Sequence, residues 1–379
     1  MVNIEGVIRL RRILFVASIA THIKSFHLPF IEMLQKQGYE VDVACSPDVS
    51  LPKGLLVWEI PFARSPYSAR NIKALGALRR LFREHHYDLV HVHTPVASFL
   101  TRLAARDIDV PVLYTAHGFH FFQGAPLRNW ILYYTVERLA AKWTAGLIVM
   151  NKEDFEAGKK LGFIEGKNLY YTHGVGVDID QYQQRDNNIR EKLGLPGKAK
   201  IVVCVAEFIA NKNHMQLLKA WKYVCDKEPD SVLLLVGKGE AEDKIRKTVS
   251  NLGITQNVYF LGFRGDVPEI LFASNILVLC SYREGLPRVI MEAMAAGKPV
   301  VATNVRGNCD LVEDGVNGYL APLGDPCSLA DAIVKLFRNP ELAQHLGRTG
   351  RDKIQNYSLE NVLNEMDNIY QKYLNAVLT

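Results

Sequence analysis

Short apolar runs alternate with helix-length segments along almost the whole chain, and this alternation constrains the fold more than any other feature. Such continuous apolar runs are typical of strands buried on both faces of a parallel sheet. The pattern occurs twice, so we predict an α/β protein with two doubly wound sheets. The strands predicted for the first sheet are Ile13–Ala17, Val41–Cys45, Leu89–His93, Val112–Tyr114 and Leu147–Met150. Those predicted for the second are Ile201–Val205, Val232–Val236, Val258–Leu261, Ile276–Cys280 and Val300–Ala302.

The length of 379 residues also favours two domains, since single cores rarely grow beyond about 300 residues. Glycines and acidic residues interrupt the pattern at His173–Asp180. We therefore place an N-terminal Rossmann-like domain at residues 1–175 and a C-terminal one at residues 180–355. Ligands of such sheets bind at the carboxyl ends of the strands, which predicts a cleft between two facing sheets. Helices are predicted at Phe26–Gln37, Asn71–His85 and Ser358–Leu378.

Composition excludes several classes of protein. The formal net charge of +5 is too small to indicate nucleic-acid binding, but it suits an anionic ligand or an anionic lipid surface. No apolar run approaches the ~20 residues that span a bilayer, and the N-terminus has no apolar signal core. The six cysteines form no C-x-x-C pair, which argues against a zinc site or a disulfide framework. We expect a protein of the reducing cytoplasm.

The strongest motif is the segment Ser281–Thr303, SYREGLPRVIMEAMAAGKPVVAT. It predicts a strand that ends at Cys280, a Gly-Leu-Pro loop and a helix from about Arg288. Free amides at a helix start carry partial positive charge that suits a phosphate. Glu284 in the loop and Glu292 about one turn inside the helix can accept hydrogen bonds from the hydroxyls of a sugar and a ribose. Taken as a lone acidic pair, they fit better a helix N-terminus stabilised by carboxylates, and the rest of the segment reverses that preference.

The whole segment resembles the Glu-x7-Glu signature of glycosyltransferase family 4, whose members have the GT-B fold. The resemblance covers nearly the whole chain, and the N-terminal half is similar to a bacterial subgroup of exopolysaccharide and capsule biosynthesis. In the second half it is also carried by Val236–Gly239, Gly262–Asp266 and Glu313–Gly318. In the first half it is carried by Phe26–Pro29, His91–Pro95, Tyr114–Phe121 and Gly124–Trp130.

The resemblance implies a role for each matching position. Glu284 would hydrogen-bond the donor sugar, Glu292 would hold the ribose, and Lys212 would bind the diphosphate. The resemblance also implies that the C-terminal helix, at about residues 358–379, crosses back to the first domain. Backbone groups near the sugar and diphosphate would come from Gly285, Leu286, Arg288 and Val289. The loop against the base would contain Gly262, Phe263 and Arg264.

The chain departs from the family pattern at the diphosphate site. The family usually has Arg-x4-Lys after the first strand of the second domain, whereas this chain has Glu207 at the arginine position and Lys212 at the other. A glutamate cannot offset diphosphate charge, so the resemblance is incomplete there. Either Lys212 does most of the work, or Arg288 or Lys238 supplies the second cation.

A second departure lies in the first domain. Ser18–Ser25 is predicted as a loop where the family often has paired glycines, and His22 and Lys24 are the candidates near the diphosphate. His117 follows a strand and precedes a glycine, and the resemblance places it near the donor sugar and the reaction centre. A structural role fits His117 equally well. The histidines expected to be structural are His93 and His120.

The expected function is transfer of a hexosyl or N-acetylhexosaminyl group from a UDP-sugar, such as UDP-GlcNAc, to a polyprenyl-diphosphate-linked saccharide. The resemblance implies a retaining reaction. No Asp-x-Asp motif occurs in a suitable loop, so no metal and no cofactor other than the donor are expected. Two alternatives stay open: a sugar-nucleotide epimerase of similar fold, and a non-catalytic nucleotide-sugar-binding subunit. A dehydrogenase is disfavoured because no G-x-G-x-x-G follows either first strand.

A basic amphipathic helix suggests contact with an anionic membrane surface. Its cations interleave with apolar residues, as a helix that binds lipid headgroups requires. An ordinary surface helix with its apolar face on the sheet explains the pattern slightly better. With a lipid-linked acceptor, we expect a peripheral protein on the inner face of the plasma membrane. The cations are Arg70, Lys73, Arg79, Arg80 and Arg83.

Overall fold

The computed structural model describes residues 10–182, 189–197 and 199–376, which divide into two compact units. The first unit runs to Val175 and resumes at Asn361, and the second spans Gly176–Glu360. Each unit is a parallel sheet with helices between its strands, so the predicted fold class of two parallel-sheet α/β domains is confirmed.

The described part of the first unit holds a seven-stranded parallel sheet of order β3-β2-β1-β4-β5-β6-β7. Its inner strands are almost wholly buried, because helices cover both faces and every side chain meets apolar neighbours. The strands are β1 Arg12–Ile19, β2 Glu40–Ser46, β3 Leu56–Glu59, β4 Leu89–His93, β5 Val112–Ala116, β6 Gly146–Val149 and β7 Leu169–Tyr171.

Helices fill the connections of this sheet. An unusual π-helical turn, Trp130–Tyr134, links two of them, and a 3₁₀ turn, Ala141–Trp143, follows. The α-helices are α1 Ala20–Phe26, α2 Leu28–Lys36, α3 Arg70–Glu84, α4 Pro95–Ala105, α5 Leu127–Asn129, α6 Thr135–Ala140 and α7 Lys152–Lys160.

One sequence-based expectation for the first unit is wrong, and one helix boundary is shifted. Ser18–Ser25 is not a loop, because β1 continues to Ile19 and α1 begins directly at Ala20. The reason is burial: Ala20 and Ile23 pack into the core and leave no room for an open loop. The helix predicted over Phe26–Gln37 is present as α2 but begins two residues later, at Leu28, since proline at position 29 lacks an N–H and fits only in a first helical turn.

The described part of the second unit holds a six-stranded parallel sheet of order β10-β9-β8-β11-β12-β13. Its strands are β8 Ile201–Val205, β9 Val232–Val236, β10 Val258–Gly262, β11 Ile276–Leu279, β12 Val300–Thr303 and β13 Gly318–Ala321. Its helices are α8 Ile189–Lys192, α9 His214–Lys227, α10 Glu242–Asn251, α11 Val267–Ala273, α12 Arg288–Ala295, α13 Asn308–Leu311, α14 Pro326–Arg338 and α15 Pro340–Lys353. Short 3₁₀ turns lie at Ile179–Tyr182, Ala210–Lys212, Thr255–Asn257 and Ile354–Tyr357.

The last helix, α16 Leu359–Ala376, returns the chain to the first unit. One face of α16 repeats apolar residues at helical spacing, and all of them are buried with β1 and β2 in one cluster. Within the described residues, no helix is both long and apolar enough to cross a membrane. The buried residues of α16 are Val362, Met366, Ile369, Tyr370 and Leu374.

We predict that Leu374→Ala lowers the free energy of unfolding of the first unit by about 2–5 kcal/mol, because it removes a fully buried side chain and leaves a cavity. The neighbouring Asn375 is exposed, so Asn375→Ala should change that free energy by less than about 0.5 kcal/mol. Hydrogen exchange of the β1 and β2 amides, followed by mass spectrometry, measures the difference. Equal protection in the two variants would contradict the docking of α16 on this core.

Candidate active site

The carboxyl ends of β8 and β11 bring an acidic and a basic side chain together in the second unit. Lys212 lies in the 3₁₀ turn after β8, and Glu284 lies in the loop between β11 and α12. Lys212 Nζ is 2.6 Å from Glu284 Oε1. The two side chains are only 21% and 11% exposed, so the ion pair is largely shielded from water. The structure thus joins two of the residues that the sequence singled out.

Further bonds hold Glu284 in place. The Ser281 hydroxyl donates to Glu284 Oε1, and Arg306 Nε donates to the Glu284 carbonyl oxygen at 3.0 Å. Asn211 Nδ2 donates to the carbonyl oxygen of Arg283 at 3.1 Å, which ties the loop after β8 to the loop after β11. The position of Glu284 is therefore set by four residues from three loops.

Gly307 allows these loops to approach each other. Its φ of +81° lies in the left-handed region, and a Cβ there would stand 2.7 Å from the carbonyl oxygen of Gly285 and 2.9 Å from Glu284 Cβ. Any side chain would push the Glu284 loop aside. Sequence analysis assigned no role to Ser281, Arg306 or Gly307. Ser281 is a small polar residue without a distinctive spacing, and Arg306 and Gly307 contact residues 22 positions away in sequence.

The start of α12 carries a second ion pair. Arg288 Nε is 3.0 Å from Glu292 Oε1, one turn along the helix. The Tyr182 hydroxyl also hydrogen-bonds Glu292. Burial raises the pKa of Glu292, and the Arg288 guanidinium opposes that rise. Pro287 precedes the helix and offers no side-chain cap.

The remaining residues predicted for the donor are more open. Phe263 is 80% exposed. Arg264 forms a bidentate ion pair with Asp266, with Nε 2.8 Å from Oδ1 and Nη2 2.5 Å from Oδ2. Lys238 is exposed, with its Cε beside Gly262. Glu207 is also exposed, so it forms no part of the Lys212–Glu284 arrangement. The other predicted positions are Gly285 and Val289, which are half-buried, and Leu286, which is buried.

In the first unit, His117 follows β5 and lies among other histidines. Its Nε2 is 3.3 Å from His93 Nδ1, and its ring centroid is 4.9 Å from that of His22. Burial lowers the pKa of His117 well below the usual value, and the nearby His22 and His91 lower it further. His117 is therefore neutral near pH 7. Lys24, in the last turn of α1, is exposed.

Comparison with known proteins relates both units to one group of enzymes. A family model described as "Glycosyl transferases group 1" matches residues 185–353, and one described as "Glycosyl transferase 4-like" matches residues 12–151. The chain is similar to "Putative glycosyltransferase EpsD" of Bacillus subtilis (strain 168), with 37% identity over 96% of this chain and 97% of that protein.

Two further proteins extend the comparison. The UDP-Gal:α-D-GlcNAc-diphosphoundecaprenol α-1,3-galactosyltransferase of Escherichia coli is 29% identical over 92% of each chain. A crystal structure of Anabaena Alr3699/HepE in complex with UDP and glucose superposes with a TM-score of 0.80, at 20% identity, over 96% of this chain and 100% of that one. At that identity the superposition shows a shared fold.

We predict that Gly307→Ala destabilises the second unit more than Gly324→Ala. Both glycines have a left-handed φ, +81° and +85°, but only Gly307 has backbone atoms where a Cβ would stand. The backbone strain is thus matched, and the steric contact should cost a further 1–3 kcal/mol or so. Thermal unfolding of the two variants should differ by several degrees, about 2–4 °C for each kcal/mol. Equal midpoints of thermal unfolding in the two variants would show that the Glu284 loop moves aside at no cost in stability.

Proposed function

Since this chain belongs to glycosyltransferase family 4 and has its GT-B fold, we propose that it transfers a hexosyl or N-acetylhexosaminyl group from a UDP-sugar to a polyprenyl-diphosphate-linked saccharide. A relative named for its use of UDP-Gal and a diphosphoundecaprenol acceptor supports this choice of donor and acceptor. UDP and glucose in the Anabaena structure support a uridine nucleotide. The reaction is proposed to retain the anomeric configuration.

The Lys212–Glu284 ion pair beside the start of α12 is the observation that carries this proposal. Cleavage of a sugar–phosphate bond places negative charge on the leaving diphosphate. A fixed ammonium and the amides of a helix N-terminus stabilise such charge in the transition state. An ionised carboxylate has about four acceptor positions, so Glu284 can bind Lys212 and Ser281 and still accept from a sugar hydroxyl.

The contacts of Arg288 favour Lys212 as the main cation for the diphosphate. Arg288 is paired with Glu292, and Lys238 is exposed beside Gly262. Neither is held at Glu284 as Lys212 is. We propose that Lys212 compensates for the glutamate at position 207, and that the donor diphosphate needs no metal ion.

His117 is assigned a role as a neutral hydrogen-bonding group. Its Nε2 is directed to His93, so Nδ1 is the atom that can bind a substrate hydroxyl. Because burial lowers the pKa of His117, its imidazole is uncharged near pH 7.

We predict that Lys212→Ala lowers kcat by about 100- to 1000-fold. Loss of a single hydrogen-bond donor that stabilises a transition-state oxyanion has an effect of this size in other enzymes. Lys219, an exposed lysine on α9, provides the control, and Lys219→Ala should leave kcat unchanged. UDP release is measured with a panel of UDP-sugars, with and without a lipid-linked saccharide, and NMR of the product reads the anomeric configuration. Unchanged kcat in Lys212→Ala would remove the lysine from the mechanism.

The same assay separates the alternatives. Acceptor-dependent UDP release with a new α-linkage from an α-donor supports a retaining transferase. Conversion of the donor sugar without acceptor would instead identify an epimerase. UDP-sugar binding without turnover of any acceptor would indicate a binding subunit.

A basic face on α3 supports the proposal of membrane contact. Ala74, Leu78 and Leu81 are buried in the first unit, so the predicted packing of the apolar face on the sheet is observed. The opposite face is exposed and carries most of the cations, with Ile72 75% exposed at its start. Cations around an exposed apolar residue suit an anionic lipid surface, and we propose attachment to the inner face of the plasma membrane. The exposed cations are Arg70, Lys73, Arg79, Arg80 and Arg83.

We predict that Arg79→Ala combined with Arg83→Ala weakens binding to anionic phosphatidylglycerol vesicles about 30-fold, because each cation contributes about 1 kcal/mol near such a surface. Co-sedimentation at low salt measures the partition. The charge-matched control is Lys219→Ala with Lys247→Ala, two exposed lysines of the second unit. Equal losses in both double variants would show that net charge alone, rather than α3, governs binding.

A further inference from the structure

Four histidines of the first unit bring their ring nitrogens together. His22 lies on α1, His27 follows it, His93 ends β4, and His117 follows β5. One ligand atom from each lies within 4.8 Å of the others. Topology explains the convergence, because β1, β4 and β5 are neighbours and their carboxyl ends meet at one edge of the sheet.

A fifth histidine is nearby, but its hydrogen bonds are complete. His91 Nδ1 is 2.8 Å from the Tyr370 hydroxyl, and its Nε2 is 2.8 Å from Thr115 Oγ1. In contrast, the Nε2 atoms of His22 and His27 are shielded from solvent and have no hydrogen-bond partner among the described residues. His93 also has no partner at Nε2, although its Nδ1 lies 3.3 Å from His117 Nε2. Each unpaired buried polar atom costs about 1–3 kcal/mol, so unpaired nitrogens on the rings of one cluster call for a ligand.

The space beside these rings limits what that ligand can be. His27, His93 and His117 line a small cavity with room for about one water molecule. A nucleotide, a sugar or a phosphate is too large for it. A single water molecule or a single metal ion fits.

The identity of the four groups favours a metal ion. Imidazole is the commonest metal-binding side chain, and four ring nitrogens within 4.8 Å of one another match the number of ligands in a closed zinc site.

The geometry fits a small dication with nitrogen ligands. Zinc–nitrogen bonds of about 2.0–2.1 Å place the nitrogens of a tetrahedral site about 3.3–3.4 Å apart. His93 Nδ1 and His117 Nε2 already stand 3.3 Å apart. The His27 and His93 rings are stacked with centroids 3.7 Å apart, so one of them must turn when the ion binds. Imidazole suits zinc, copper and nickel, whereas magnesium and calcium prefer oxygen.

We propose that His22, His27, His93 and His117 form a binding site for a transition-metal dication, with Zn²⁺ as the best fit. The site was not predicted from sequence, because the cysteine spacing and the Asp-x-Asp motif concern other kinds of metal site. All four histidines belong to the first unit, whereas Lys212 belongs to the second.

Cobalt binding tests the proposal without any measurement of activity. The full chain, produced without a histidine tag and stripped with a chelator, is titrated with Co²⁺ and then with Zn²⁺. We expect one equivalent of Co²⁺ with the intense visible bands of a tetrahedral nitrogen site, and displacement by Zn²⁺ but not by Mg²⁺. Weak octahedral bands, thiolate charge-transfer bands or no saturable binding would overturn the proposal.

Histidine variants locate the site. His93→Gln and His22→Gln should each weaken Co²⁺ binding by at least about 100-fold, since each removes a ligand. His22 is half-buried on α1, so its substitution tests the site even if the deeply buried His93 is needed for folding. The control is His86→Gln, an exposed histidine of the same unit, which should bind as the parent does. Unchanged affinity in a folded His22→Gln variant contradicts the four-histidine site.

Discussion

The carboxyl edges of the two parallel sheets position the side chains that carry chemistry in this protein. In the second unit, β8, β11 and β12 are neighbours, so residues that follow them meet although Lys212 and Glu284 are 72 positions apart. In the first unit, β1, β4 and β5 are neighbours, and the histidines that follow them converge. Parallel pairing aligns all strand ends at one edge, so a short loop after each strand is enough to assemble a site.

The Lys212–Glu284 pair is better explained by function than by stability. Two partly buried charges lose hydration, and their attraction only about offsets that cost. The pair instead holds the Glu284 carboxylate in position. The Lys212 ammonium and the Ser281 hydroxyl bind the same carboxylate oxygen, and Gly307 lets its own backbone approach the Glu284 loop closely. An anionic ligand that binds Lys212 therefore finds a hydroxyl acceptor already placed beside it. Under the proposed function, the same contacts let a chain with glutamate at position 207 offer Lys212 to the donor diphosphate.

The inner strands of both sheets could be predicted from sequence, because strands that are buried on both faces consist of continuous runs of apolar residues. Three edge strands could not, because β3, β7 and β13 are short and only half-buried, so their residues carry no clear pattern. The fourth edge strand of the two described sheets, β10, was predicted from its apolar run. The motif that contains Glu284 and Glu292 was enough to predict helix α12. The contact of Lys212 with Glu284 could not be predicted from sequence, since it depends on the pairing of β8 with β11. The segment after β1 was predicted as a loop because the family often has a glycine loop there. It is a helix in this chain, in which Ile23 is buried.

The C-terminal helix connects the packing of the first unit to its histidines. Tyr370 of α16 and Thr115 of β5 bind the two nitrogens of His91, which is 279 positions from Tyr370 in sequence. Burial lowers the pKa of His91 to about 3, so its ring stays neutral, with one nitrogen donating and the other accepting. The ring centroid of His91 lies 4.1 Å from that of His93. Because His91 is fixed from both sides, it restricts the ring beside it, and the docking of α16 thereby helps to set the geometry of the four-histidine cluster.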